Sequence, residues 1–331
     1  TVLISICDQN QGSPDCLIVI ARQRHKQCRS NLRTEIASGT SCPRNDGVGD
    51  VMNAPLFLIL IVTFLYAFSF LGYLFKFFKT ESNQSVWIGR FLEIGFLIHT
   101  LVIFAQTFSA SSAYPMIHLP VTTVGEASGF FAWSLAFIYL ILLRQLKTET
   151  FALILTPILI LFLIPSFFPF RPNLSSLAFF NDTYFLLHIL SAFFSYASFT
   201  LSLIAAVLYL MLDAALKKKT AGNFYKKMLS LEDLEQFIFK TIFWGVILLA
   251  IGILSGAFWA KSAFGTFLLR EPKSLSSLLT WLAYLVIIYL HGVRKIKGRR
   301  IVLMSLSAFV LVLVTFLGTS LIETGFHVGI W

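Results

Sequence analysis

Across 331 residues the chain is 57% hydrophobic, 15% aromatic and only 13% charged, which is too apolar for a soluble domain. Repeated apolar runs of roughly 18 residues or more mark a polytopic helical membrane protein, and the short alternating segments of a transmembrane β-barrel are not seen. The formal net charge of +10 does not indicate a nucleic-acid partner, because Lys and Arg collect in short loops between spans, where they orient the chain in the bilayer.

Residues 1–51 have no apolar period and hold all four cysteines, Cys7, Cys16, Cys28 and Cys42. Their spacings fit no C-x-x-C metal pattern, and a disulfide pair stays open as an alternative. The segment reads as an upstream extension standing outside the working protein, which then covers 52–331.

About eight spans follow, near residues 55–78, 91–108, 127–143, 151–168, 184–212, 237–254, 277–291 and 301–317. The second carries Glu93 and His99, and the connection 109–125 after it holds His118 and Pro120. Pro157 and Pro165 predict a kink or an early stop in the fourth span. Glu232, Asp233 and Glu235 give the sixth span a short amphipathic lead. The stretch 255–281 is different in kind. Lys261, Arg270, Glu271 and Lys273 forbid burial in hydrocarbon, yet Trp259, Phe264 and Phe267 are ill suited to free water. It is expected at the external bilayer surface, which tolerates amphipathic rings and charges alike. The fold class is therefore all-α: a polytopic membrane bundle with an external aromatic interfacial segment.

Alternate loops decide the topology. Those after spans one, three, five and seven are basic and face the cytoplasm; the others and the C-terminus face outside. Arg22, Arg24, Lys26, Arg29, Arg33 and Arg44 would then lie on the wrong side, a conflict that a start at Met52 removes.

On this topology His118, His188 and His327 are external, His291 lies at the cytoplasmic end of span seven, and His99 is mid-bilayer. A charge at the bilayer centre costs about 2.5–3.5 kcal/mol on insertion scales, so polar groups in spans point towards function. Imidazole is also a common metal and haem ligand. Plainer roles stay open for each. His99 can bond a neighbouring helix, His118 can be an ordinary loop residue, and His291 can cap the interface beside Arg294. Glu126 can be an anion at a helix start. His188 and His327 flank the Trp259 segment as two donors beside aromatic rings, which suits a flat, apolar, iron-bearing ligand and equally an ordinary aromatic belt. No P-loop, dinucleotide glycine pattern, H-E-x-x-H or G-x-S-x-G is present, nor are the inverted halves of a transporter evident.

Trp259, Ala260, Ala263, Gly265, Pro272 and Lys273 stand in register with the signature W-A-x-x-A-W-G-x-Y-W-x-W-D-P-K-E. Phe264 and Phe267 keep aromatic character, and Glu271 takes the place of the Asp. Leu187-His188 with Ser195-Tyr196-Ala197, Tyr289-Leu290-His291, His118 and Pro120 with Glu126, and Gly325-Phe326-His327 fall in the matching order. In these elements the chain from about Pro55 onward resembles the cytochrome c assembly family, the haem-handling membrane proteins with CcsA, CcmC and HemX-like branches. It departs at Leu268, Arg270 and Ser274, where the signature has Trp, Trp and Glu; an apolar Leu268 still packs on a porphyrin, and Arg270 can pair a propionate.

The resemblance implies that His188 and His327 bind haem iron above the aromatic segment and that His291 helps haem reach it. It also implies a CcsB-like membrane partner and delivery of haem to apocytochrome c outside the membrane. The expectation is a multi-pass haem-binding assembly factor of the bacterial inner membrane with an external C-terminus, rather than a stand-alone enzyme. Two alternatives are a HemX-like regulator that restrains a haem-biosynthetic enzyme through the basic cytoplasmic loops, and a transporter of another small molecule.

Overall fold

The computed structural model describes residues 47–78, 86–108, 119–143, 150–168, 182–219, 229–265 and 272–314. The chain divides into two compact units, Thr1–Ala54 and Pro55–Trp331, and everything that follows concerns the second. Its described residues form helices and connections only. They are α1 (Gly47–Phe78, of which residues 55–78 belong to this unit), α2 (Val86–Phe108), α3 (Val124–Leu143), α4 (Thr150–Leu163), α5 (Thr183–Lys217), α6 (Leu231–Phe264), α7 (Pro272–Gly292) and α8 (Arg299–Leu313). Seven are long and apolar enough to cross a membrane; α8 counts 15 residues where the description stops. The protein is a polytopic helical membrane bundle.

Helix boundaries follow local chemistry. Asp182 caps α5 by accepting the N–H groups of Tyr184 and Phe185, and Ser230 caps α6 by accepting that of Asp233 at 3.1 Å. Glu232 and Asp233 add favourable charge to the first turn of α6. Gly265 ends α6 in the left-handed conformation, φ 73°, which a glycine adopts without strain. Pro157 is accommodated inside α4, but at Pro165 the chain has tightened into a 3-10 turn, Ile164–Phe167, as the expected early stop.

Two boundaries differ from expectation, and both bear on the stretch 255–281. The amphipathic lead, the span and residues 255–264 form one 34-residue helix, α6. Residues 272–281 are the first turns of α7. The surface reading is thus replaced by helix on both flanks, and 266–271 lie outside the described residues. The reason is visible in the charges. Between Lys240 and Lys261 the chain is uncharged for 20 residues, about 30 Å of helix, which matches the hydrocarbon thickness. The helix therefore carries Trp259 to the depth at which Lys261 emerges, rather than bending onto the surface.

α5 and α6 are the central pair, and they meet along small residues. Ser195 Oγ donates to Gly245 O at 2.9 Å, and a methyl group on Gly245 would stand 2.5 Å from the Phe199 ring. Lower on the same seam, Gly252 and Gly256 face Ser191 and His188. Between helices in a bilayer there is no water to squeeze out, so close backbone approach and such bonds hold the pair. α7 leans on both partners: Phe199 stacks on the buried Tyr284 at 3.9 Å, and Trp281 Nε1 donates to Val246 O at 3.1 Å. α3 joins α5 through Phe130 and Phe193, with ring centroids 5.1 Å apart. On α1 and α2, Phe57, Phe64, Phe68, Leu97, Leu101 and Phe104 stay exposed, an apolar face suited to lipid.

Candidate functional site

Among the described residues, three polar constellations stand out. The first is at the Gly265 end of the α5–α6 pair. His188 stands two turns inside α5, and its Nδ1 lies 2.7 Å from the carbonyl oxygen of Gly252. A carbonyl only accepts, so Nδ1 carries the proton, and a neutral ring then has its lone pair on Nε2. Gly256 makes the fit possible, since a Cβ there would be 2.6 Å from Nδ1. Ser191 Oγ donates to Leu187 O at 2.6 Å and to His188 O at 3.1 Å, so its own hydroxyl stays on α5 while Gly252 passes beside it. Orientation of the distal ring nitrogen by a backbone carbonyl is the usual support of a metal-ligating histidine.

Trp259 belongs to the same end, one turn beyond Gly256. It is 3% exposed and packs on Phe185 with ring centroids 4.9 Å apart. The expected open aromatic platform is therefore corrected: Trp259 is an internal brace behind the first turn of α5. Phe264 closes α6, with only its backbone described, and His118, Phe267, Arg270 and His327 lie outside the described residues. Among the described residues no group of three His, Cys, Asp or Glu side chains is placed to hold a metal ion.

The second constellation is a cavity of about 60 Å³ between α1, α2, α3 and the 3-10 turn, lined by His99, Gln106, Glu126 and Ser166 among others. His99, only 2% exposed, meets Tyr66 of α1, with Oη 3.4 Å from Nδ1. Its plain role, a bond to a neighbouring helix, is the one observed. Glu126 also does structural work: its Oε2 accepts from Thr122 N at 2.9 Å and Thr122 Oγ1 at 2.6 Å, while Thr123 caps the helix by accepting its N–H. Ser166 Oγ donates to Gly125 O at 2.8 Å and ties the 3-10 turn to this helix start.

The third constellation is at the Ser230 end of α6. His291 Nε2 lies 3.2 Å from Glu235 Oε1, and the other oxygen, Oε2, accepts the N–H of Gly298 at 2.8 Å. Phe239 stacks on the His291 ring at 4.3 Å. Both side chains of this contact are largely buried, 16% and 13% exposed. Nearby, Asp213 pairs with Lys217 at 2.8 Å and lies 4.0 Å from Arg299. His291 is thus no cap beside Arg294; its partner is a carboxylate one helix away. From Glu235 to Gly256 is 21 residues along α6, about 30 Å, so His188 of α5 and His291 of α7 meet opposite ends of α6.

Sequence reasoning missed Gly252, Gly256 and Glu235 as partners of the two histidines. The G-x-x-x-G spacing of 252 and 256 inside an apolar run was a readable sign of close helix approach. For Glu235 the only sign was an acidic residue in a helix lead, which ordinary capping also explains.

Comparison with known proteins agrees with this architecture. Residues 121–327 match the family model described as cytochrome C assembly protein, so the chain belongs to the cytochrome c assembly protein family. Among similar curated proteins is the cytochrome c biogenesis protein CcsA of Prochlorococcus marinus (strain MIT 9312), 26% identical over 301 residues, covering 83% of this chain and 92% of that one. The CcsA proteins of Mesostigma viride and Guillardia theta are each 26% identical, over 244 and 233 residues. They cover 65% of this chain and 78% and 77% of their own length.

Proposed function

We propose that this protein handles haem for cytochrome c assembly, holding it as cargo with His188 as an axial ligand at the Gly265 end of α5 and α6. The observation that carries the reading is the 2.7 Å contact of His188 Nδ1 with Gly252 O over Gly256. It fixes the ring and puts its lone pair on Nε2, a nitrogen through which histidine ligates haem iron. Family membership and the cytochrome c biogenesis of the relatives' names support the same assignment.

His327 completes the pair of axial ligands, with Phe264, Phe267 and Arg270 around the porphyrin and His118 and Glu126 on the adjoining surface. Lys217, Lys218 and Lys219 lie at the end of α5, and Arg294, Lys295, Lys297, Arg299 and Arg300 lie around the start of α8. By the positive-inside rule this basic Ser230 end faces the cytoplasm. The Gly265 end and the C-terminus then face outside, where a CcsB-like partner and apocytochrome c receive the haem. In a bacterium the membrane is the cytoplasmic one.

The test is an absorption spectrum of the detergent-purified full chain, oxidised and then reduced with dithionite. The expected result is a Soret band with reduced α and β bands, shifted or lost in His188→Ala and in His327→Ala. Protein that carries no haem from haem-replete cells and takes up no added haemin overturns the reading.

A further inference from the structure

α6 supplies the partner of each intramembrane-end histidine, and the two partners act on different ring nitrogens. Gly252 O holds the Nδ1 of His188, whereas Glu235 Oε1 holds the Nε2 of His291. The second oxygen of Glu235 accepts the Gly298 N–H at 2.8 Å, so each of its oxygens is engaged with a different segment. Nε2 is thus the engaged nitrogen of His291, whereas in His188 it is Nδ1. Nδ1 of His291, the remaining nitrogen, stands next to its own backbone, and Phe239 covers a face of the ring at 4.3 Å.

We infer that Glu235 is a latch on His291: it competes with iron for Nε2 and so holds His291 back from haem. This rests on the haem reading above and adds a restraint to it. The contact has to open before His291 ligates through Nε2. The geometry also explains why one carboxylate is spread over three segments. Glu235 ties the start of α6 to the end of α7 through His291 and to the start of α8 through Gly298, so opening the latch loosens the Ser230 end locally and leaves the α5–α6 seam intact.

The test uses the full chain in detergent and two readouts. Without haem, diethyl pyrocarbonate is added and modification of His291 is followed by mass spectrometry. A hydrogen bond to a charged group is strong enough that Glu235→Ala is expected to speed labelling by about tenfold. Glu235→Gln keeps an oxygen for Gly298 N–H but brings no carboxylate to His291, and it is expected to speed labelling as well if Glu235→Ala folds poorly. With haemin added, both variants are expected to gain a His291-dependent Soret contribution that the corresponding double variants with His291→Ala lack. Unchanged labelling in both variants, with a normal His188-dependent spectrum, overturns the latch alone. Faster labelling with no histidine-dependent haem spectrum in any variant overturns the haem reading, and the latch's role towards haem with it. Weaker His291-dependent haem binding in both variants also overturns the latch, since Glu235 would then position the ring for iron rather than withhold it.

Discussion

The two ends of α6 solve the same problem with opposite materials. At the Gly265 end the helix offers bare backbone: Gly252 and Gly256 let α5 approach so closely that His188 bonds a carbonyl oxygen. At the Ser230 end it offers a side chain: Glu235 reaches across to His291 and to Gly298. Backbone groups cannot swing away without breaking the helix, whereas a glutamate has rotamers to spend. One histidine is therefore fixed by the fold, and the other is held by a contact that can be exchanged.

The comparison breaks most severely if the rigid seam is forced apart. Gly245→Leu puts a branched side chain where even a Cβ would be 2.5 Å from Phe199, a ring sandwiched on its other side by Tyr284 at 3.9 Å. Overpacking of this kind costs about 1–3 kcal/mol or more, and α5, α6 and α7 all meet here. The expected outcome is a clear fall in the unfolding temperature in detergent or a failure to accumulate folded protein. A Leu variant as stable as the parent would show that the seam is not tightly packed.

A smaller change sharpens the contrast at the His188 end. Gly256→Ala should push the imidazole off Gly252 O, since the new methyl would sit 2.6 Å from Nδ1. Losing one buried hydrogen bond costs about 1 kcal/mol, so the fold should survive. If His188 is a ligand, its spectral contribution should change while the protein still folds, with a loss of stability of only about 1 kcal/mol. An unaltered spectrum alongside a His188-dependent Soret band would mean that the carbonyl contact does not set the ring.

Of this arrangement, the helices were legible in the sequence and the partnerships were not. Apolar runs bracketed by charge locate a span, because hydrocarbon thickness fixes how many residues lie between Lys240 and Lys261. The same run mispredicts the stretch after 254 when Trp259 is taken as a surface ring: its burial depends on Phe185, a residue of another helix. His188 and His291 could be nominated from type and position, but the atoms that face them are 64 and 56 residues away. Local pattern carries no record of such pairs. His99 shows the reverse case, where burial invited a functional reading and the neighbour turned out to be Tyr66 of the adjoining helix.

Glu235→Ala bears on the exchangeable end. It leaves the Gly298 N–H and His291 without their carboxylate, and a lost charged hydrogen bond costs about 1.5–3 kcal/mol where it is buried. Part of that is regained from water, because both side chains keep some exposure, 16% and 13%. The expected loss of stability is therefore about 1 kcal/mol, less than for Gly245→Leu, measured as a shift of the denaturant midpoint in mixed micelles. A loss as large as that of the seam variant would mean that the Ser230 end is as rigid as the other.

The smallest effect is expected at the exposed charges around Asp213. Lys217 bonds Asp213 at 2.8 Å but is 58% exposed, and Arg299, 4.0 Å from the same carboxylate oxygen, is 60% exposed. Pairs of long, hydrated side chains gain little in water, typically about 0.3–0.5 kcal/mol for an i,i+4 pair, and salt weakens them further. Lys217→Ala should therefore leave the unfolding midpoint and the diethyl pyrocarbonate labelling of His291 almost unchanged. A large destabilisation, or labelling as fast as in Glu235→Ala, would shift the weight of this end from the buried glutamate to the exposed charges around it. It would then be a salt-sensitive surface rather than a latch, and raising ionic strength alone should open it.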